Sequence, residues 1–143
     1  MNEPETIRTI LKQTHTIAVV GLSESPARAG GMVARVMQQA GYRIIPVNPN
    51  IENALGEKAY ASLDAACEAL AADGVRIDLV DVFRAPEYVA GIVDAVIRNR
   101  IPALWLQLGM VDAEAAQRAE DAGVRVVMDH CLKVEHAYYG GRL

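Results

Sequence analysis

The sequence is poor in cysteine, with only Cys67 and Cys131 among its 143 residues. A small secreted domain stapled by disulfides carries more, so both thiols are expected to be free in a reducing, cytoplasmic compartment. Positive charge is in no surplus either: 14 Lys and Arg stand against 18 Asp and Glu, a formal net charge of −4. Nonspecific binding to nucleic acid or to an anionic membrane needs the opposite balance, so neither is an expected partner. No apolar run approaches the ~20 residues that span a bilayer. The stretch from Met1 to Thr14 is polar and charged, unlike a secretory signal. Two familiar nucleotide signatures are missing. No G-x-x-x-x-G-K-[ST] run occurs, which argues against a P-loop nucleotidase. The turn after the first expected strand is not G-x-G-x-x-G, because Ser23 takes the place of the second glycine. Asn48, not an Asp or Glu, closes the second strand, so the usual partner of a ribose hydroxyl pair is missing. Both departures count against NAD.

What is present is apolar material, 52% of the chain against 22% charged. That is enough to build a core in one domain over residues 1–143. Ile7, Ile10 and Leu11 have helical spacing between Glu3 and Gln13, with Pro4 suited to a first turn. The runs Thr16 to Val20, Tyr42 to Val47, Ile77 to Phe83, Ala103 to Gln107 and Val124 to Met128 read as strands, several of them apolar on both faces. Helical stretches alternate with them, ended by Gly41 and Gly123 and capped by Ser62 and Asp112, with Pro86 at a helix start. Leu55 to Tyr60 reads as loop, and the tail from Asp129 carries one short helix around Leu132 to Ala137. Strand and helix in alternation give an α/β class. The expected architecture is a Rossmann-like, doubly wound, parallel five-stranded sheet of order 3-2-1-4-5, with helices on both faces.

Ligands of such sheets sit beyond the carboxyl ends of the strands, at the switch point. The loop after the first strand is the most informative segment placed there. Gly21 permits a tight turn, and Gly30 and Gly31 expose amides where a helix dipole favours an anion. Ser23 and Ser25 add hydroxyl donors, and Arg28 adds a charged fork. Together these suit a pyrophosphate; an ordinary strand-to-helix loop with two capping serines fits the same residues. Glu24 would repel a phosphate and is expected to face solvent.

The sequence carries further motifs in a fixed order: Val20-Gly21-Leu22-Ser23 with Pro26 and Arg28, Ile45-Pro46-Val47-Asn48-Pro49, Leu79 to Arg84, Leu104 to Gly109, and Val127 to His136. This combination resembles the stand-alone CoA-binding-domain proteins, which are similar to the nucleotide-binding domain of the succinyl-CoA synthetase α subunit. The resemblance runs from about Thr16 to His136 and implies that coenzyme A or an acyl-CoA is the ligand. By that likeness Gly21, Leu22, Ser23, Ser25, Arg28 and Gly30 would hold the phosphates. Val47, Asn48 and Pro49 would border ribose and adenine, Phe83 and Arg84 would flank the adenine, and Gln107 and Gly109 would line the path of the pantetheine arm. The synthetase subunit has a basic residue just after the proline ending strand two. Here Asn50, Ile51 and Glu52 follow Pro49, leaving Arg28, Arg84 or Lys58 to meet the 3′-phosphate. The related small proteins usually carry Arg where His130 stands. The synthetase's phosphorylated histidine lies in a second domain absent from this sequence, so ligase activity does not carry over.

The leading expectation is therefore a non-catalytic binding module that senses or regulates, with a homo-oligomer or another protein as partner. An alternative is an NAD(P)-dependent or acyl-CoA-processing enzyme component acting through Cys131, with His130 and His136 nearby. Adjacent side chains in an extended segment point apart, which makes the His130 pairing poor, and a zinc site on these three would need a fourth ligand such as Asp129. A vestigial pocket on an interaction domain is a third reading. Asp81 lies within an apolar run, so it is either hydrogen-bonded in the core or near a strand end. Cys67 and Trp105 are expected in the core, and Tyr138 and Tyr139 on the surface or against a second subunit.

Overall fold

Pro46 decides which strand can stand beside the second one. The computed structural model describes residues 1–23, 28–140 and 143. In it, β2 (Arg43–Val47) runs parallel to β1 (Thr16–Val20). The backbone groups of Arg43 and Val47 face β1: Arg43 N donates to His15 O, and Gly21 N donates to Val47 O. Pro46 therefore faces the other way, and having no N–H it cannot serve a full ladder on that side. Among the described residues only Tyr60 makes backbone hydrogen bonds along this edge, donating its N–H to Pro46 O at 3.0 Å and accepting from Asn48 N at 2.9 Å.

The next long strand, β5 (Leu79–Val82), consequently pairs with the opposite side of β1. Asp78 fixes its entry, with Oδ2 accepting from the backbone N–H groups of His15 and Thr16 at 2.9 and 3.0 Å. β6 (Ala103–Leu106) and β7 (Arg125–Met128) follow, giving a five-stranded, all-parallel sheet of order β2-β1-β5-β6-β7. The α/β, doubly wound reading holds, but the order 3-2-1-4-5 is corrected. Counted along the five long strands it is 2-1-3-4-5, and the switch point lies between β1 and β5.

Strand side chains alternate between two faces. Ala18, Ile45, Val80 and Leu104 pack against α3 (Leu63–Ala72), α4 (Val89–Arg98) and α5 (Ala113–Asp121). Ile17, Val19, Leu79 and Trp105 pack against α1 (Pro4–Gln13), α2 (Ala29–Gln39) and α6 (Leu132–Tyr139). A single 3₁₀ turn, Pro86–Tyr88, precedes α4. The Leu55 to Tyr60 stretch is not plain loop. It holds a small antiparallel pair, β3 (Asn53–Ala54) and β4 (Glu57–Lys58), joined through Leu55 and Gly56. Both turn residues have positive φ, 51° and 78°, as a primed hairpin turn requires. Leucine in that position gives no sequence cue for such a turn.

The far edge of the sheet is closed by a side chain. Asn2 Nδ2 donates to Met128 O at 2.9 Å and its Oδ1 accepts from Met128 N at 2.7 Å, so an amide stands where a further strand could pair. The expected caps form: Ser62 Oγ accepts from Ala65 N, and Asp112 Oδ1 accepts from Ala115 N at 3.0 Å. Replacing Asp112 with alanine should lower stability by about 1 kcal/mol, read as a reduced urea midpoint with an unchanged slope. No helix among the described residues is long and apolar enough to cross a membrane.

Candidate functional site

The carboxyl ends of β1, β2 and β5 are stitched together before any ligand is considered. Gly21 N donates to Val47 O and Phe83 N donates to Val20 O, each at 2.8 Å. Gly21 has φ +91°, and a Cβ there would lie 2.6 Å from Phe83 O and 3.0 Å from Arg84 Cδ. The close approach that demands glycine thus comes from the neighbouring strand. Leu22 is fully buried, and its carbonyl accepts from Asn48 Nδ2 at 3.0 Å. The same Asn48 side chain accepts from Asn50 N at 2.9 Å. Both ends of its amide are therefore engaged in holding the β1 turn and the β2 exit together.

Beyond this knot the turn opens toward α2. Ser23 is half-buried; Ser25, together with Glu24 and Pro26, lies outside the described residues. Arg28 is exposed at the N-cap of α2 and makes no side-chain cap. Gly30 is buried, and a Cβ there would come within 3.2 Å of the Phe83 ring. Phe83 therefore lies on the α2 face of the sheet.

Arg84 points elsewhere. It lines a cavity of about 340 Å³ with Val20, Val47 and Pro49 on one side and Ser62, Tyr88 and Ile92 on the other. The structure accordingly parts Phe83 from Arg84, while it joins Val47, Pro49 and Arg84 at one concave surface. The Arg84 guanidinium stacks over the Tyr88 ring at 4.1 Å, leaving its edge free to donate. Arg98 and Asp64 also line the cavity and form a bidentate pair at 2.6 and 3.1 Å, which Asn99 joins at 2.7 Å. Arg98 first, then Asn99, holds the Asp64 carboxyl below the usual range. The pair is exposed and adds little to stability. Lys58 lies beyond the β2 edge, its ammonium 5.6 Å from the Tyr60 ring centroid. Ser62, Tyr88 and Ile92 had no mark in the sequence as site residues. They belong to α3 and to the α4 approach, which join the site only once β5 is placed beside β1.

On the α2 face, Gln107 follows β6 and turns back toward β5, its Nε2 donating to Asp81 Oδ1 at 2.7 Å. Both residues are buried, at 5% and 1% exposure. Burial pushes the Asp81 carboxyl from an ordinary 3.8 to about 7, against a smaller lowering by the Gln107 bond. Asp81 is thus a hydrogen-bonded core residue, and its Oδ2 has no partner among the described residues. Gly109 donates its N–H to Asp129 Oδ1 at 2.7 Å, which ties together the loops after β6 and β7.

Cys131 is half-buried at the N-cap of α6. The two imidazoles beside it in sequence are engaged elsewhere. His130 Nδ1 meets Met128 O at 2.8 Å, and His136 stands edge-on to Tyr42 with centroids 5.6 Å apart. No cluster of His, Cys, Asp or Glu among the described residues is placed to hold a metal ion. Trp105 is fully buried and donates to His130 O at 2.9 Å. Cys67 is half-buried on α3, and burial pushes its thiol pKa up. Tyr138 is 60% exposed and meets Tyr139 edge-to-face.

Comparison with known proteins places these features in a family. A protein of Bacillus subtilis (strain 168), YneT, itself uncharacterized, is 46% identical over 131 residues, covering 92% of each chain. A hypothetical protein from Pyrococcus horikoshii OT3 superposes with a TM-score of 0.85 at 32% identity, over 95% of this chain and 91% of its own. The dinucleotide-forming acetyl-coenzyme A synthetase 1 of Candidatus Korarchaeum cryptofilum, solved with phosphate and ADP, shares the fold alone. Its TM-score is 0.69 at 21% identity, over 90% of this chain and 28% of the synthetase. The family model described as the CoA binding domain matches residues 15–137, which is nearly the whole sheet and every strand end discussed above, and the chain belongs to that family.

Proposed function

We propose that this protein binds coenzyme A or an acyl-CoA as a non-catalytic module that senses or regulates. The observation that carries the reading is the cavity beside Arg84. It opens at the carboxyl ends of β1 and β2, next to the glycine turn, in a chain of the CoA-binding family. Its volume of about 340 Å³ lies at the low end for ligand sites. That suits the adenosine end of the cofactor and leaves the pantetheine arm to run along the crevice. Val47 and Pro49 offer apolar surface to a purine, and the Arg84–Tyr88 stack offers a flat face and free donors. Arg28 and the first amides of α2 are the donors nearest a diphosphate. Gln107 and Gly109 follow β6, on the course of the arm. An acyl-processing role for Cys131 gains no support from geometry, since neither imidazole is hydrogen-bonded to its sulfur among the described residues.

Thermal unfolding with CoA, acetyl-CoA, NAD and NADP tests this. A ligand at one hundred times its Kd stabilises by about 2.7 kcal/mol, which for a domain of this size raises Tm by roughly 5–10 °C. CoA and acetyl-CoA should give such a shift, and NAD and NADP none. Arg28→Ala and Arg84→Ala should each weaken CoA severalfold. A shift with NAD and none with CoA would overturn the proposal.

A further inference from the structure

Proteins rarely keep an ionisable side chain in an apolar sheet without a partner for each oxygen. Asp81 stands in register between Val19 and Trp105, with one oxygen bonded to Gln107 and the other orphaned among the described residues. Its neighbours do not relieve it: the Trp105 N–H is already given to His130 O, and Val19 has no donor to give. The pair lies beside the switch point, where β5 and β6 end. Two residues beyond Asp81 in the chain, the Phe83 ring lies on the same face of the sheet, against Gly30 in the first turn of α2.

The chemistry of the pair is directional. An ionised carboxylate only accepts, so it draws the NH2 end of the Gln107 amide inward and turns the amide oxygen outward. A protonated carboxyl can donate to that oxygen and turn the NH2 outward instead. The hydrogen bond from Nε2 to Oδ1 corresponds to the first state. We propose that Asp81 is a positioning residue: it fixes the Gln107 amide with its oxygen presented to an N–H of a ligand arm crossing the β5 and β6 ends. The ligand group so read is a secondary amide. This rests on the reading of the crevice as a CoA site, because the arm of that cofactor carries such amides.

Both states are within reach, because burial lifts Asp81 to about 7. The titratable groups described on the surrounding elements are Glu5, Arg8 and Lys12 of α1, Arg28 and Arg35 at α2, Arg84 after β5, Asp129 after β7, and His130, Cys131, Lys133, Glu135, His136, Tyr138 and Tyr139 at α6. None is hydrogen-bonded to Asp81, and burial and the Gln107 bond are the causes of its shift.

The test compares CoA with adenosine 3′-phosphate 5′-diphosphate, which keeps the nucleotide end and lacks the arm. Affinities are measured by calorimetry at about pH 6 and about pH 8.5 for the native chain, Asp81→Asn and Gln107→Leu. The native chain should prefer CoA, and that preference should grow roughly fivefold with rising pH, the worth of about one hydrogen bond. Asp81→Asn keeps the shape of the pair without a titrating group. It should lower the preference and make its remaining pH dependence equal to that of Gln107→Leu. Binding of the truncated nucleotide should stay within about twofold in both variants. Ionisation of the ligands themselves is common to all three proteins and cancels. An unchanged CoA preference in Asp81→Asn, or equal weakening of both ligands, would overturn the positioning role while leaving the CoA site intact. Failure of the native chain to bind either ligand would overturn the site itself and this inference with it.

Discussion

Gly21→Ala is expected to destabilise the protein by about 3 kcal/mol and to abolish detectable CoA binding. Two effects add. Alanine at φ +91° meets the left-handed penalty of roughly 1–2 kcal/mol. Its Cβ must also move away from Phe83 O, 2.6 Å distant, and an overpacked core site costs typically 1–3 kcal/mol. The obstacle is backbone at the end of the central strand β5, so no side-chain rotation relieves it. Relief has to come from breaking the Gly21–Val47 or Phe83–Val20 hydrogen bond, and either loss parts the strand ends that frame the cavity. Gly109 provides the control. Its φ is +88°, but nothing lies within 4 Å of a Cβ there. Gly109→Ala should therefore show the conformational penalty alone, roughly 1–2 kcal/mol. Guanidinium unfolding of the two variants beside the native chain measures the difference. Equal losses would mean that the approach of Phe83 contributes nothing.

The same geometry shows what the sequence could and could not reveal. The five long strands, the Ser62 and Asp112 caps and the helical tail follow from local signals: apolar runs, capping side chains, glycine stops. Strand order is not local, but one residue did carry it. Pro46 withholds a donor on the outer edge of β2, so the strand that follows has to go to the other side of β1. Alternation of strand and helix alone does not distinguish the two orders. The candidate site was legible to the same depth. Val47, Pro49 and Arg84 lie at strand ends and meet at the cavity, whereas Ser62, Tyr88 and Ile92 enter it from helices whose position depends on that order. Asn48 shows the limit in another way. The family resemblance set it beside a ribose, and what the strand end could not show is that both ends of its amide hold the β1 turn and the β2 exit together. The Gln107–Asp81 bond could not be read from spacing, because it joins residues on separate strands.

Asp81→Asn should raise stability at pH 8 and leave it nearly unchanged at pH 4. The folded state binds the Asp81 proton more tightly than the unfolded chain does, because burial lifts the carboxyl from 3.8 to about 7. Stability from this group is therefore fully present below the unfolded value and is lost as pH rises toward the folded one. The full rise corresponds to roughly 4 kcal/mol, complete above about pH 7. The side chain is 1% exposed, so water does little to screen the penalty. Asparagine keeps the shape and a hydrogen bond to Gln107 without the titration, and should recover roughly 2–4 kcal/mol at pH 8. Urea midpoints of the two proteins should diverge from about pH 4 to about pH 7 and keep their gap above that, and a gap independent of pH would show that folding leaves the Asp81 pKa unshifted. Saturating CoA gives the same measurement a second use. A ligand N–H accepted by Gln107 favours the ionised carboxylate, so bound cofactor should narrow the gap at pH 8 by the worth of that bond. The instability of the empty pair and its selectivity for an amide then have one cause, a carboxylate buried without a cation beside the switch point.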